Sequence, residues 1–357
     1  MQVSTVPNDF IISIPNENDE MVKSDFLLHA LKIKNDANEN IILKSISFEL
    51  QYENELVKKI IYCEKALDSK IGMLGQELSF VTCEEFSKLY FGTNDFWSYK
   101  DISKSNILMP GGESGIFNEY FIQVHKSKID ELVIKIDYLS GDKLCTESSA
   151  LQVVEYKCKN EYIFPVKGNY STCGNYNDLL GHRQHYSMEY AIDMSQLNID
   201  QKLEYKDNME NEDYIAYGKD VIAIADGEIV DCHDEYTEKT PWAGKERKAY
   251  IEKYGHLPSQ CGNYVVIKHE NGEYSLYGHL IPNSLPVNKG DRVKQGQRIG
   301  KIGNNGMSNC PHLHFQLMDG PDFFGSRGLP CYFTNLKDIC GNKIDILRED
   351  NLIVHTS

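Results

Sequence analysis

The chain has 357 residues, 41% of them hydrophobic and 25% charged, a balance that argues against wholesale disorder and leaves room for two ordinary domains. Its formal net charge of −16 argues against sequence-independent binding to nucleic acid or to an anionic bilayer, since both require clustered Lys and Arg. Residues 1–20, MQVSTVPNDFIISIPNENDE, carry neither a basic start nor an apolar core, so no secretory leader is expected. No run is long enough to span a membrane, so membrane insertion is not expected either. The expectation is a cytoplasmic protein, or an extracellular or cell-envelope one if a leader was removed ahead of Met1.

In chain order, residues 26–34 (FLLHALKIK), 41–50 (IILKSISFEL), 119–126 (EYFIQVHK) and 131–139 (ELVIKIDYL) show β-type alternation or β-rich apolar runs. Turn-forming clusters at 35–40 (NDANEN) and 110–115 (PGGESG) separate them, and residues 84–102 read as helical or irregular. Strands at this spacing predict a β-sandwich-like domain over residues 1–157, with no His, Cys and carboxylate cluster to suggest a site. Residues 158–357 predict a second, compact all-β domain, with shorter strands punctuated by Gly at 221–232, 263–280, 292–303 and 312–320. Two polar, highly charged stretches at 197–216 and 233–258 interrupt it and read as surface insertions. The fold class expected is therefore mainly all-β. Ten scattered cysteines contain no CxxC pair, which gives no zinc ribbon and no clear disulfide framework, and ordinary reduced thiols are expected.

Chemistry concentrates in the second half. In the run Pro311-His312-Leu313-His314-Phe315, residues two apart on a strand project from one face, so His312 and His314 point together and form a candidate metal site. His279 closes the apolar strand SLYGHL. His182, His185, Glu189 and Asp193 lie in GHRQHYSMEYAIDM, and Asp193 ends an apolar run where an unpartnered carboxylate is costly and a divalent cation is a natural partner. Two imidazoles and one carboxylate leave an open fourth position on tetrahedral zinc, the arrangement of a hydrolytic rather than a structural site.

From Tyr162 to Phe333 these residues resemble the lysostaphin/LytM-type zinc endopeptidases, whose compact β fold is also called a duplicated hybrid motif. FPVKG at 164–168 looks like the family's first strand, and GKDVIAIADGEIV at 218–230 like its Gly-punctuated strand pair. GNYVVIKHENGEYSLYGHL at 262–280 and the run from Val287 to Leu317, which contains HLHF, match its two histidine-bearing stretches. The resemblance implies one Zn2+ per chain, with Asp193 and His314 as ligands, His312 as catalytic base and His279 as a second catalytic imidazole that polarises the reacting carbonyl. It implies His182 as the remaining ligand, from a subset of the family with a longer spacing before the Asp; His185 and Glu189 stay open as alternatives. His269 is expected to be structural.

The implied function is a metalloendopeptidase acting on peptidoglycan stem or cross-link peptides. A processing protease for an intracellular peptide or protein precursor is the alternative within the same chemistry. A catalytically inactive LytM-like binding or activator module, and a phosphocarrier of the same β architecture, are the readings from other classes.

Overall fold

The computed structural model describes residues 1–14, 16–17, 21–173, 181–198, 200, 202–203, 210–239, 247–347 and 352–356. It is mostly β, with 44% of residues in strands and 15% in helices. The chain divides into two compact units, Met1–Tyr156 and Lys157–Ser357.

In the first unit, strand Val22–Lys34 pairs along its length with Glu113–His125, and Gln2–Val6 and Asn16–Glu17 add to it. A second sheet runs Phe10–Ser13, Lys143–Glu155, Glu131–Ser140, Ile41–Tyr52, Glu55–Cys63. The two sheets bury a common core: Phe26 and Phe121 of the first stack at 5.0 Å, and Phe48 of the second meets Phe121 edge-on at 5.3 Å. Alternation places one set of side chains of each sheet inward, which is what the apolar period at 26–34 and 41–50 demands.

Helix Glu64–Glu77 was not legible as a helix in the sequence. It buries Leu67, Ile71 and Leu74, three residues at a helical spacing of four and three. Its polar remainder and two internal glycines obscure that stripe. Helix Glu84–Phe91 falls where helical or irregular structure was expected and ends at Gly92, which adopts φ 71°.

The second unit is built on an eleven-stranded antiparallel sheet. Its central strands run in the order Gly227–His233, Asn263–His269, Tyr274–Leu280, Leu313–Met318, Ile192–Gln196, Asn169–Cys173, Leu352–Thr356. Asp220–Ile222 and Arg298–Lys301 form a separate two-stranded ladder. The Gly-punctuated stretches at 221–232 and 292–303 each form two short strands separated by a turn, and the two pieces belong to different sheets. Residues 164–168 depart from the expected strand. Phe164 and Val166 are fully buried, but Pro165 has no N–H to give a ladder, and the segment instead bonds through Ile163 N–H to Ile224 O and through Pro165 O to Ile222 N–H.

The two insertions are less superficial than their composition suggests. Residues 199, 201, 204–209 and 240–246 lie outside the described residues, but the second insertion contributes helices Arg247–Tyr254 and His256–Cys261. Tyr236 is 4% exposed, stacked on Tyr250 at 4.7 Å and near Tyr254 at 4.9 Å. Aromatic burial, invisible to a period count, folds this charged segment against the domain.

The lead-in segment of this unit is held by a buried side chain. Glu273 is fully buried and accepts from Lys159 N–H on both carboxylate oxygens at 3.0 Å, from Asn160 Nδ2 at 2.7 Å and from the Tyr162 hydroxyl at 2.7 Å. Burial, and then this carboxylate, push the Tyr162 hydroxyl far above its ordinary pKa, so it stays a donor. Glu273→Ala strands those donors and is expected to lower the unfolding free energy by on the order of 3 kcal/mol. Urea denaturation checks it, and an unchanged midpoint would show that the donors find other acceptors.

Candidate active site

The site grows from sheet register. Asp193 pairs with His314, and His314 pairs with Gly278 on the next strand. Register partners share a face, so carboxylate, imidazole and glycine form a row across three strands. At Gly278 a Cβ would lie 3.4 Å from the His314 Cβ and 3.3 Å from Cys261 O, a close fit beside the imidazole. His314 Nδ1 lies 3.0 Å from Asp193 Oδ1. His182, in the short helical turn His182–Gln184, brings Nε2 to 3.7 Å from Asp193 Oδ2 and meets the His314 ring edge-on at 4.9 Å. One ligand atom from each of His182, Asp193 and His314 lies within 4.8 Å of the other two.

Neither alternative first ligand joins that group. His185 turns its Nδ1 back to donate to His182 O at 3.2 Å. Glu189 is buried beside Tyr190, in surroundings that also hold the guanidinium groups of Arg183 and Arg327.

Alternation alone would send His279 to the opposite face from Gly278. A bulge in the register between Asn263 and Val265, together with φ 63° at His279, turns it round. Its ring then lies 4.7 Å from His312 and 5.9 Å from His314. His312, just before the strand, places Nε2 3.6 Å from Asp193 Oδ1. Four imidazoles thus surround one carboxylate. Asp193 keeps 23% of its side chain exposed against 6% for His314, so the group opens to solvent on the carboxylate side.

Backbone acceptors settle the tautomers. A carbonyl can only accept, so His279 donates Nδ1–H to Asn305 O at 2.7 Å and His312 donates Nδ1–H to Cys310 O at 2.8 Å. In the neutral rings both Nε2 atoms therefore carry a lone pair. Gln316 donates through Nε2 to Ser187 O at 3.2 Å and turns its Oε1 to His314 Nε2 at 3.0 Å. That commits the His314 proton to Nε2 and leaves Nδ1, in the neutral ring, as a lone pair facing a carboxylate oxygen. Such a pairing requires a cation between or beside the two, a proton or a metal. The electrostatics agree. Burial pushes the Asp193 carboxyl up, but His182, His312 and His314 together outweigh it and hold the group well below the carboxylate range. Burial works against the charged form of His314 too, yet its bond to Asp193 raises it. Burial, then His312 and His314, hold His279 well below the ordinary imidazole range.

The donor set of two imidazole nitrogens and one carboxylate is of the kind that fits a catalytic zinc. His269 sits apart, donating Nδ1–H to Asp226 O at 2.9 Å and paired through Nε2 with Ser275 Oγ at 2.7 Å.

Three supporting residues escaped the sequence reading. Gln316 had a signal, since it lies two positions after His314 on the same face. Asn263 and Asn305 had none. Asn305 Oδ1 accepts Asn263 N–H at 2.8 Å and its Nδ2 donates to Leu280 O at 2.8 Å, so it ties two strands to the loop that holds His279.

Two imidazoles and one carboxylate, flanked by two further imidazoles, form a candidate metal site. Residues 212–324, within the second unit, match the model of Peptidase family M23. The matched segment contains His279, His312 and His314 and begins after Asp193. Peptidoglycan DD-endopeptidase ShyA of Vibrio cholerae serotype O1 is 49% identical over 58 residues, 16% of this chain and 13% of that protein. Cell division protein DipM of Caulobacter vibrioides is 32% identical over 104 residues, 29% of this chain and 13% of that protein. Glycyl-glycine endopeptidase ALE-1 of Staphylococcus capitis is 35% identical over 106 residues, 29% of this chain and 23% of that protein. The chain thus spans less than a quarter of the length of these relatives. The catalytic domain of lysostaphin from Staphylococcus simulans is a structural neighbour at 25% identity, covering 40% of this chain and 75% of that one, with a TM-score of 0.24.

Gly262 sets the approach of the Asn305 loop. It adopts φ 65° and ψ −136°, and a Cβ there would lie 1.8 Å from Asn305 Oδ1. Gly262→Ala is expected to cost at least about 2 kcal/mol through backbone strain alone. A thermal melt checks it, and a midpoint within error of the parent would disprove the close approach.

Proposed function

We propose that the second unit is a zinc-dependent metalloendopeptidase acting on the stem or cross-link peptides of peptidoglycan. The observation that carries this reading is the convergence of His182, Asp193 and His314 within 4.8 Å beside two imidazoles whose Nδ1–H groups are given to backbone carbonyls and whose Nε2 atoms have no backbone partner among the described residues. The peptidoglycan endopeptidases among its relatives support the substrate class.

His182, Asp193 and His314 would hold the metal. When bound there, zinc supplies Lewis-acid polarisation of a peptide carbonyl and acidifies water towards about pH 7. The chain's own residues supply the proton handling. His312, with Nδ1–H given to Cys310 O, accepts the proton of the attacking water at Nε2 and returns it to the leaving amine. His279 takes a different part from the one the resemblance implies. Its single N–H is committed to Asn305 O, and burial opposes the imidazolium, so the neutral ring has no donor to offer a carbonyl oxygen. Its Nε2 accepts the other hydrogen of the same water and fixes the direction of attack. Gln316 keeps the His314 proton on Nε2, so Nδ1 remains the metal-facing atom.

Purified protein is expected to carry one zinc per chain by elemental analysis and to cleave soluble peptidoglycan peptides. His312→Ala should keep the metal and lose roughly a hundredfold or more of the rate. His314→Ala should lose the metal, and Gln316→Leu should weaken metal affinity about 10–100-fold. The reverse pattern for the two histidines would exchange their roles. A protein that binds no stoichiometric zinc would instead be a binding module, and cleavage of soluble peptides with none of peptidoglycan would assign a precursor-processing protease.

A further inference from the structure

The second insertion does more than cover the surface. Its residues Glu238 and Lys239 grip the loop that holds His279. Glu238 Oε1 accepts Asn304 N–H at 3.0 Å, and Tyr217 donates its hydroxyl to Oε2. Lys239 N–H donates to Asn304 O at 3.1 Å, and Lys239 Nζ donates to Gly306 O at 3.0 Å. Lys239 O in turn accepts from Asn211 Nδ2 at 2.9 Å and Asn304 Nδ2 at 3.2 Å. A Cβ on Gly303 would lie 2.3 Å from Glu238 Oε1, so the backbone at this point is open only far enough to admit that carboxylate. Between these anchors, the loop meets His279 twice: Gly303 N–H donates to His279 O at 2.9 Å, and Asn305 O accepts His279 Nδ1–H at 2.7 Å.

His279 needs such a holder. It is the residue at φ 63° in the bulge, a conformation that costs energy for a side chain and persists only when its surroundings overdetermine it. The strand cannot hold the ring on the site face by alternation, because alternation points it the other way. The Asn304–Gly306 loop does so, and the Glu238 side chain, beside the Lys239 main chain, holds the loop at its start.

We propose that Glu238 is a positioning residue for hydrolysis, acting through Asn304 and Asn305 to fix the ring orientation and tautomer of His279. This rests on the metallopeptidase reading above. It adds that the inserted segment, which composition alone marks as a surface loop, is part of the catalytic apparatus.

The test uses the full-length protein loaded with zinc, and the variants Glu238→Ala, Glu238→Asp and Glu238→Gln. Glu238→Ala is expected to lower kcat about 10–100-fold on a soluble peptidoglycan peptide, with KM changed less than about twofold and zinc content unchanged. Glu238→Gln keeps an oxygen for Asn304 N–H and should recover most of the parent kcat. Glu238→Asp, shorter by one methylene, should fall between, and stands in for Glu238→Ala if that variant does not fold. Nitrogen-15 NMR of the His279 ring in metal-free protein gives a readout that needs no substrate. The parent should show the Nδ1–H tautomer alone, and Glu238→Ala a mixture. A parental kcat and a single tautomer in Glu238→Ala, or a Glu238→Gln variant as impaired as Glu238→Ala, would overturn the proposal. If the parent cleaves no peptide, the metallopeptidase reading fails, and the tautomer measurement still decides whether Glu238 orients His279.

Discussion

The contact between Asp193 and His314 is the constraint on which the second unit's chemistry depends. Their strands are neighbours, and the two residues are directly opposed in register. A slip of one residue would turn either side chain to the opposite face and dissolve the cluster. Opposing a carboxylate to an imidazole whose other nitrogen is committed to Gln316 produces a local demand for positive charge. Burial pushes the carboxyl up, and the three imidazoles around it outweigh that and hold it ionised.

Around this pair the second unit uses two different means of placing side chains. Gln316 and His314 come from plain strand alternation, with Gly278 opposite His314 in the same row. His279 comes from a bulge and a left-handed backbone, which the strand pattern cannot supply and which loops from elsewhere must stabilise. The Gly262–Asn263 junction, Asn305 and the Glu238–Lys239 pair all bear on that one imidazole. The cost of an irregular backbone at the site is met by a dense hydrogen-bond network, in which nearly every bond uses a main-chain group.

The first unit shows how far periodicity carries and where it stops. Strands 26–34 and 41–50 announced themselves because each must present apolar residues to the opposite sheet. Helix Glu64–Glu77 did not, since three buried residues among charged and glycine positions make a weak stripe. Phe164–Gly168 was misread for the opposite reason: its apolar residues are buried as a strand's would be, while Pro165 removes the donor a ladder needs. In the 233–258 insertion, tyrosines rather than an aliphatic period create the buried contacts, and charge dominates the composition around them.

From the amino acids alone came the mainly β architecture, the histidines at 279, 312 and 314, Asp193, and the resemblance that joins them, because short-range spacing and motif order are properties of the chain itself. A strand's period of two also foretells that His312 and His314 point the same way. Only the tertiary structure brought His182 rather than His185 or Glu189 to Asp193, gave His279, His312 and His314 their tautomers and attached the Glu238 segment to the loop behind His279. Those outcomes depend on register between strands distant in sequence and on which carbonyl happens to face a ring nitrogen. Such distances are set by packing and leave no local trace in the order of residues.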